Sequence, residues 1–276
     1  MIHLRRLVPA AAILLAGVIS SASAQIAPAS QEPFKPTVGQ SGKDVVWVPT
    51  SPELVEKMLD MARVTPQDYV MDLGSGDGRN IIAAAKRGAT ATGVEFNPDM
   101  VELSRKQAAA AGVADRATFI QGDMYEADIS KATVLALFLL PHNLNKLVPK
   151  FLALKPGSRI VGNTFAPEGW AADESETIGG ECSSWCTALL WIVPAKAEGT
   201  WKVANGELTL KQEFQMVSGT LTSGGNPTQV SGRLRGDLIT LTGGGTEYAG
   251  RVTGDTIEGS AKTGGSSAPW SASRAR

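Results

Sequence analysis

Hydrophobic positions along residues 51–165 alternate between two spacings, that of a helix and that of a strand. Leu54, Val55, Met58, Leu59 and Ala62 recur at helical intervals behind Ser51 and Pro52, a hydroxyl suited to cap a helix and a ring pre-set for its first turn. Short apolar runs at 69–73, 90–96 and 117–121 are separated by helical patterns at 79–87 and 98–111. A nearly all-apolar run follows at 132–140, then a helix from 143 to about 154 and a strand at 159–165. This alternation predicts a parallel sheet with helices on both faces, in which the run 132–140, apolar on both sides, takes a central place. Further strands near 176–178 and 187–193 bring the expected sheet to seven. Ligands of such sheets lie at the carboxyl ends of the strands.

The pattern changes at residue 197. Gly, Thr and Ser dominate from there, helical spacing disappears, and "GRLRGDLI" at 232–239 returns as "GRVTGDTI" at 250–257. Gly-Asp pairs between short alternating runs are hairpin turns, so 196–276 is expected to form a small antiparallel all-β domain, a barrel or a sandwich. At the other end stand Arg5 and Arg6, an apolar run at 7–19, and Ala22-Ser23-Ala24 before Gln25. That order is a secretory signal with cleavage near Ala24. The run falls short of the roughly twenty residues a membrane helix needs, so no stable span is expected; the alternative to a periplasmic or secreted protein is one anchored by its uncleaved signal. Residues 25–44 are rich in Pro, Ser and Gln and read as a flexible leader that serves as a spacer. The expected organisation is signal 1–24, leader 25–44, sheet domain 45–195 and β-domain 196–276.

Charge narrows the partners. With 26 basic and 27 acidic residues and a formal net charge of −1, nothing points to nucleic acid. The chemistry has to come from sites. In "DLGSGDGR" at 72–79, Gly74, Gly76 and Gly78 let the backbone come close to a ligand and present N–H groups to it. A dinucleotide fingerprint would put its third glycine where Arg79 stands, a P-loop would end in Gly-Lys-Ser/Thr, and a nucleophile elbow would carry G-x-S-x-G. None of the three fits. What the loop has instead is acid: Asp72, Glu95 and Asp123 end three successive strands on one crevice. Glu95 is placed to accept both hydroxyls of a ribose. Three carboxylates suit a ligand with a ribose and a positive centre and suit a pyrophosphate badly. Asp77 is read as structural, favoured by the helix start it precedes.

Through "VMDLGSGDGR", "GVEFNP" and "FIQGDM", residues 45–194 resemble class I S-adenosylmethionine-dependent methyltransferases. More narrowly, "VWVPTSPELVEKML" and "LLPHNLNKLVPKFLALKPGSRIV" are similar to bacterial relatives of the mitochondrial protein-lysine methyltransferases that act on ATP synthase and on the adenine nucleotide translocator. The resemblance implies a Rossmann-like α/β methyltransferase sheet and S-adenosyl-L-methionine as cofactor. It implies that Gly74, Ser75, Gly76 and Gly78 pack against the methionine moiety, that Glu95 holds the ribose, and that Asp123 with Met124 flanks the adenine. Two motifs depart from the family: "VPTP" stands here as Val48-Pro49-Thr50-Ser51, and "LYLL" as Leu137-Phe138-Leu139-Leu140.

Methyl transfer from a sulfonium needs alignment more than acid or base help. Behind the signal the chain has one histidine, His142, so neither a zinc cluster nor a Ser-His-Asp triad is readily built. His142 and Asn143, with Leu140 and Pro141 beside them, are the candidates to line the site of a protein or small-molecule methyl acceptor, His142 as the group that takes a proton from a lysine ammonium; the alternative is that they simply start a helix. Cys182 and Cys186 are either a small-loop disulfide behind an export signal, two buried thiols, or reactive groups. Two other functions stay open: an envelope binding protein on a relic methyltransferase fold, and an NAD-dependent reductase.

Overall fold

The computed structural model describes residues 1–2, 34–180 and 182–275. The expected signal and its cleavage site lie outside the described residues. Helix α1 (Pro52–Met61) starts where Ser51 accepts a hydrogen bond from the Leu54 N–H at 3.3 Å. Strand β1 (Tyr69–Leu73), helix α2 (Arg79–Lys86), strand β2 (Thr90–Glu95), helix α3 (Pro98–Ala110) and strand β3 (Ala117–Gln121) follow. Then come β4 (Val134–Leu137), α4 (Pro141–Phe151), β5 (Arg159–Asn163), β6 (Glu174–Thr177) and β7 (Thr187–Ile192). The sheet order is β3-β2-β1-β4-β5-β7-β6, parallel through β5 and antiparallel at β7 and β6.

Alternating side chains of the central strands feed two cores. Val70, Val134 and Ala136 meet α1, α2 and α3, whereas Met71, Leu135 and Leu137 meet α4 and its Leu144, Leu147 and Phe151. This is why β4 is apolar on both faces. It is shorter than the apolar run 132–140: its ladders end at Leu137, and Phe138 to Leu140 leave the sheet toward the N-cap of α4. The helix begins at Pro141, two residues before the expected start, because a proline at the first helical position forfeits no hydrogen bond.

The remaining strands, β8 (Gly199–Val203), β9 (Gly206–Glu213), β10 (Met216–Ser223), β11 (Asn226–Arg235), β12 (Leu238–Gly243), β13 (Thr246–Thr253), β14 (Thr256–Thr263) and β15 (Ser266–Arg274), form a closed antiparallel barrel. The repeated Gly-Asp pairs are its turns, with Gly236 and Gly254 at φ 64 and 56, the left-handed backbone such two-residue turns require. Each turn aspartate pairs with an arginine on a neighbouring strand, Asp237 with Arg251 and Asp255 with Arg274. Trp201, Leu208, Leu210, Leu234, Ile239 and Ile257 fill the interior. One end of the barrel sits on the sheet: Phe214 stacks on Trp170 at 5.2 Å, and Gln215 donates to the Ala171 carbonyl at 2.7 Å.

Candidate functional site

The carboxyl ends of β1, β2, β3 and β4 converge on an open cavity whose empty space, counted out into solvent, is about 890 Å³. Asp72, Gly74, Ser75, Gly76, Glu95, Asp123 and Met124 all line it. Gly74 and Gly76 have φ 75 and 54. A Cβ on Gly76 would lie 2.7 Å from the Trp47 indole nitrogen, so only glycine lets the loop pass under that ring. The loop does not present its amides to a ligand, however. The Gly74 and Ser75 N–H groups donate to the Val94 carbonyl at 2.8 and 3.0 Å, Gly78 donates to the Ser75 carbonyl, and Gly76 to Glu95. With these four N–H groups taken, the loop offers close approach rather than an anion cradle. Gly78 is also displaced from its expected role: it is absent from the cavity lining, and a Cβ there would lie 2.6 Å from the Phe119 ring. It makes room for packing.

The carboxylates differ in what they hold. Glu95 accepts from the Gly76 N–H and the Asn97 N–H, each at 2.9 Å, one on each oxygen, which leaves a lone pair per oxygen for two further donors. Asp123 pairs with Lys43 and accepts from the Tyr125 N–H at 2.8 Å. The Lys43 ammonium, then that backbone N–H, hold its carboxyl below the usual carboxylate range. Asp72 is buried; the Asn80 amide donates to one of its oxygens at 3.0 Å and the other has no partner. Burial first, then the charges of Glu95 and Asp77, push its pKa up to about 8 against the opposing bond from Asn80. Ser75 Oγ and Asn80 Oδ1 are likewise buried without partners in the same wall. Unpaired buried polar atoms are rare because they are costly, and these belong to residues that border the cavity. A carboxyl that burial has made hard to ionise is stabilised as an anion by a bound cation, so the donor set fits a ligand carrying a ribose and positive charge.

Residues 40–44 are not a spacer. The Trp47 N–H donates to the Gln40 carbonyl and the Gly39 N–H to the Trp47 carbonyl, each at 2.9 Å, and Gln40 to Thr50 line the cavity as a strap. Lys43 lies 5.2 Å from the Phe96 ring centre and reaches Asp123 across the opening. Arg79 ties the strap's end down by donating to the Thr50 carbonyl while it grips Asp77. The apolar run Val45-Val46-Trp47-Val48 beside the polar leader was the available signal.

The acceptor-side candidates are not brought to the cavity. Leu140, Pro141 and His142 are exposed at the start of α4, and Asn143 is buried, donating to the Tyr125 hydroxyl at 2.8 Å. The early start of α4 places 141–143 in its first turn, and none of them is among the residues that line the cavity. β4 instead delivers Phe138 and Leu139 to the cavity. Leu139 also borders a smaller apolar cavity with Asn163, Phe165, Trp170 and Trp191. Cys182 and Cys186 are joined as a disulfide in the loop between β6 and β7.

A family model described as "ANTKMT methyltransferase domain" matches residues 72–174. A protein-lysine N-methyltransferase of Saccharolobus islandicus is 42% identical over 133 residues, covering 47% of this chain and 83% of that protein. A human lysine N-methyltransferase named for ATP synthase is 30% identical over 165 residues, covering 55% and 70%. The adenine nucleotide translocase lysine N-methyltransferase of Mus musculus is 35% identical over 128 residues, which are 46% of this chain, and the chain spans 56% of its length. A crystal structure from Salinibacter ruber, described as an RNA methyltransferase in complex with S-adenosyl-L-homocysteine, is similar at 44% identity and TM-score 0.51, covering 54% of this chain and 95% of that one.

Proposed function

This chain belongs to the family of ANTKMT-type methyltransferases, and from that premise we propose that it methylates lysine side chains of proteins outside the cytosol. It is a methyltransferase, and its cofactor is S-adenosylmethionine. When bound, that cofactor supplies an electrophilic methyl group on a sulfonium. The chain's own residues bind, orient and shield. Glu95 accepts the ribose hydroxyls, Asp72 offers its unpartnered oxygen to positive charge, and the strap with Lys43 and Trp47 closes the mouth against water. Among the described residues that line the cavity there is no histidine, so the acceptor amine gives its proton to solvent before it enters.

The observation that carries the lysine assignment is the kinship with the Saccharolobus islandicus enzyme, together with Phe138 and Leu139 as the residues that β4 delivers to the cavity. Export is supported by the basic, apolar and small-residue order of 1–24 and by the disulfide, which suits an oxidising compartment. No helix among the described residues is long and apolar enough to cross a membrane. The catalytic unit in this reading is 45–195 with its strap, and 196–276 positions the partner. Incubation with methyl-labelled S-adenosylmethionine and envelope extract tests it, with the modified residue identified by mass spectrometry. Label on lysine is expected. Label on RNA would overturn the lysine reading, and cofactor binding with no transfer to any acceptor would favour an envelope binding protein.

A further inference from the structure

Phe138 lines the cofactor cavity and is the middle one of three rings that come from three separate parts of the chain. Its ring stacks with Phe165 at 6.1 Å between centroids and 13° between planes, and meets Trp185 at 6.1 Å and 58°. Phe165 follows β5, and Trp185 sits inside the loop that the Cys182–Cys186 disulfide closes. Phe138 and Phe165 are half-buried, whereas Trp185 is 44% exposed. The two outer rings rest on unusual backbone. Thr164, directly before Phe165, has φ 59, and Trp185 itself has φ 55, a left-handed conformation that bulky and β-branched residues seldom adopt. Thr164 is held there by its N–H donating to the Thr187 carbonyl at 2.7 Å. Core packing does not explain a strained, cross-linked tryptophan facing solvent.

We propose that Trp185 and Phe138 form the wall along which a lysine side chain reaches the cofactor cavity, with Phe165 backing Phe138 and the disulfide fixing Trp185 as the outer end. The proposal rests on the lysine reading above. Aromatic faces attract an ammonium, and the four methylenes behind it pack along rings that offer no hydrogen bonds. Burial toward Phe138 disfavours the charged form, so the ammonium gives its proton to solvent at exposed Trp185 and the neutral amine passes on to the cavity. Phe138 and Phe165 already stand at mutual contact distance, so nothing passes between them and the path runs along the Trp185 side of Phe138.

The test uses the full chain loaded with S-adenosylhomocysteine and titrated with n-butylammonium, following tryptophan indole N–H signals by NMR, with the Trp185 signal identified as the one lost in Trp185→Phe. The Trp185 signal is expected to move. In parallel, methyl transfer to poly-L-lysine is measured for Trp185→Ala and for Cys182→Ser/Cys186→Ser. Both variants are expected to raise the poly-lysine KM about tenfold, with kcat within about threefold and S-adenosylhomocysteine affinity unchanged, while Trp185→Phe restores the parent KM. An unmoved Trp185 signal, or an unchanged KM in Trp185→Ala alongside an active parent, overturns the proposal. A moved signal in a protein that leaves poly-lysine unmethylated keeps the wall as an alkylammonium site and removes the lysine reading instead.

Discussion

Two tryptophans show how the sheet and the barrel differ. Both are fully buried, yet the Trp201 indole in the barrel donates to the Ala197 carbonyl at 2.9 Å under the Arg274 guanidinium, whereas the Trp170 indole in the sheet domain has no partner. The contrast is general. Among the described residues the buried side-chain polar atoms without partners belong to Asp72, Ser75, Asn80, Asn143, Asn163 and Trp170, and none lies in the barrel. Each such atom costs about 1–3 kcal/mol. Five of the six residues border one of the two cavities. Proteins retain local conflicts of this kind where function requires them, so the sheet rim carries the chemistry and the barrel is built for stability.

The largest effect that sharpens this comparison is on the barrel. Trp201→Ala empties the centre of its core and is expected to cost about 3–5 kcal/mol, read as a lower midpoint in denaturant unfolding. Cofactor affinity below the transition should stay within about threefold, a difference of under 1 kcal/mol. Loss of cofactor binding in a variant that still has its native fold would show that the barrel is part of the site.

At the rim binding suffers too. Glu95→Ala removes two acceptor oxygens from the ribose and frees the Gly76 and Asn97 amides that hold the loop. Hydrogen bonds to a charged group contribute about 1.5–3 kcal/mol each, so calorimetry should find S-adenosylmethionine bound about a hundredfold more weakly, and the lost Gly76 and Asn97 bonds lower the unfolding midpoint as well. An affinity equal to the parent's would remove Glu95 from the site.

Local rules make the rim only partly legible in the sequence. Asp72, Glu95 and Asp123 end three strands, and strand ends follow from period and turn residues. The barrel follows from Gly-Asp turns in the same way. What local rules miss is long-range or ambiguous. Lys43 matters because it meets Asp123, 80 positions away, and no spacing near Lys43 announces that. A glycine after a strand either lines a ligand's space or only admits a neighbouring side chain; Gly76 lines the cavity beneath the Trp47 ring, Gly78 only makes room for Phe119, and both rings come from other parts of the chain. Pro141 begins a helix, which is readable, but the direction in which Asn143 then points depends on Tyr125. Phe165 is brought beside Phe138 by the parallel pairing of β5 with β4, and Trp185 by the antiparallel return of β7 beside β5, beyond the reach of any motif.

The smallest effect concerns pH. In the free protein Asp72 has its pKa pushed up to about 8 by burial and by its acidic neighbours, so at pH 7 it is mostly protonated. A cation bound beside it favours the ionised form, and binding then releases one proton. The sign follows from linkage: the free state holds the extra proton below about pH 8, so affinity rises with pH, about tenfold or 1.4 kcal/mol per unit, and levels off above that. An α-amino group on the ligand loses its charge near pH 7.7–8.0, which bends the profile downward on the alkaline side. Asp72→Asn removes the rise and keeps the fall, and it should bind more weakly than the parent at pH 8 by a larger factor than at pH 7. Calorimetry in buffers of different ionisation enthalpy reads the released proton directly at pH 7. A parent whose affinity is flat from pH 6 to 8, with no proton release that depends on Asp72, would mean that the unpaired oxygen does not face the cofactor's charge, and the contrast between a strained rim and a satisfied barrel would lose its clearest functional reason.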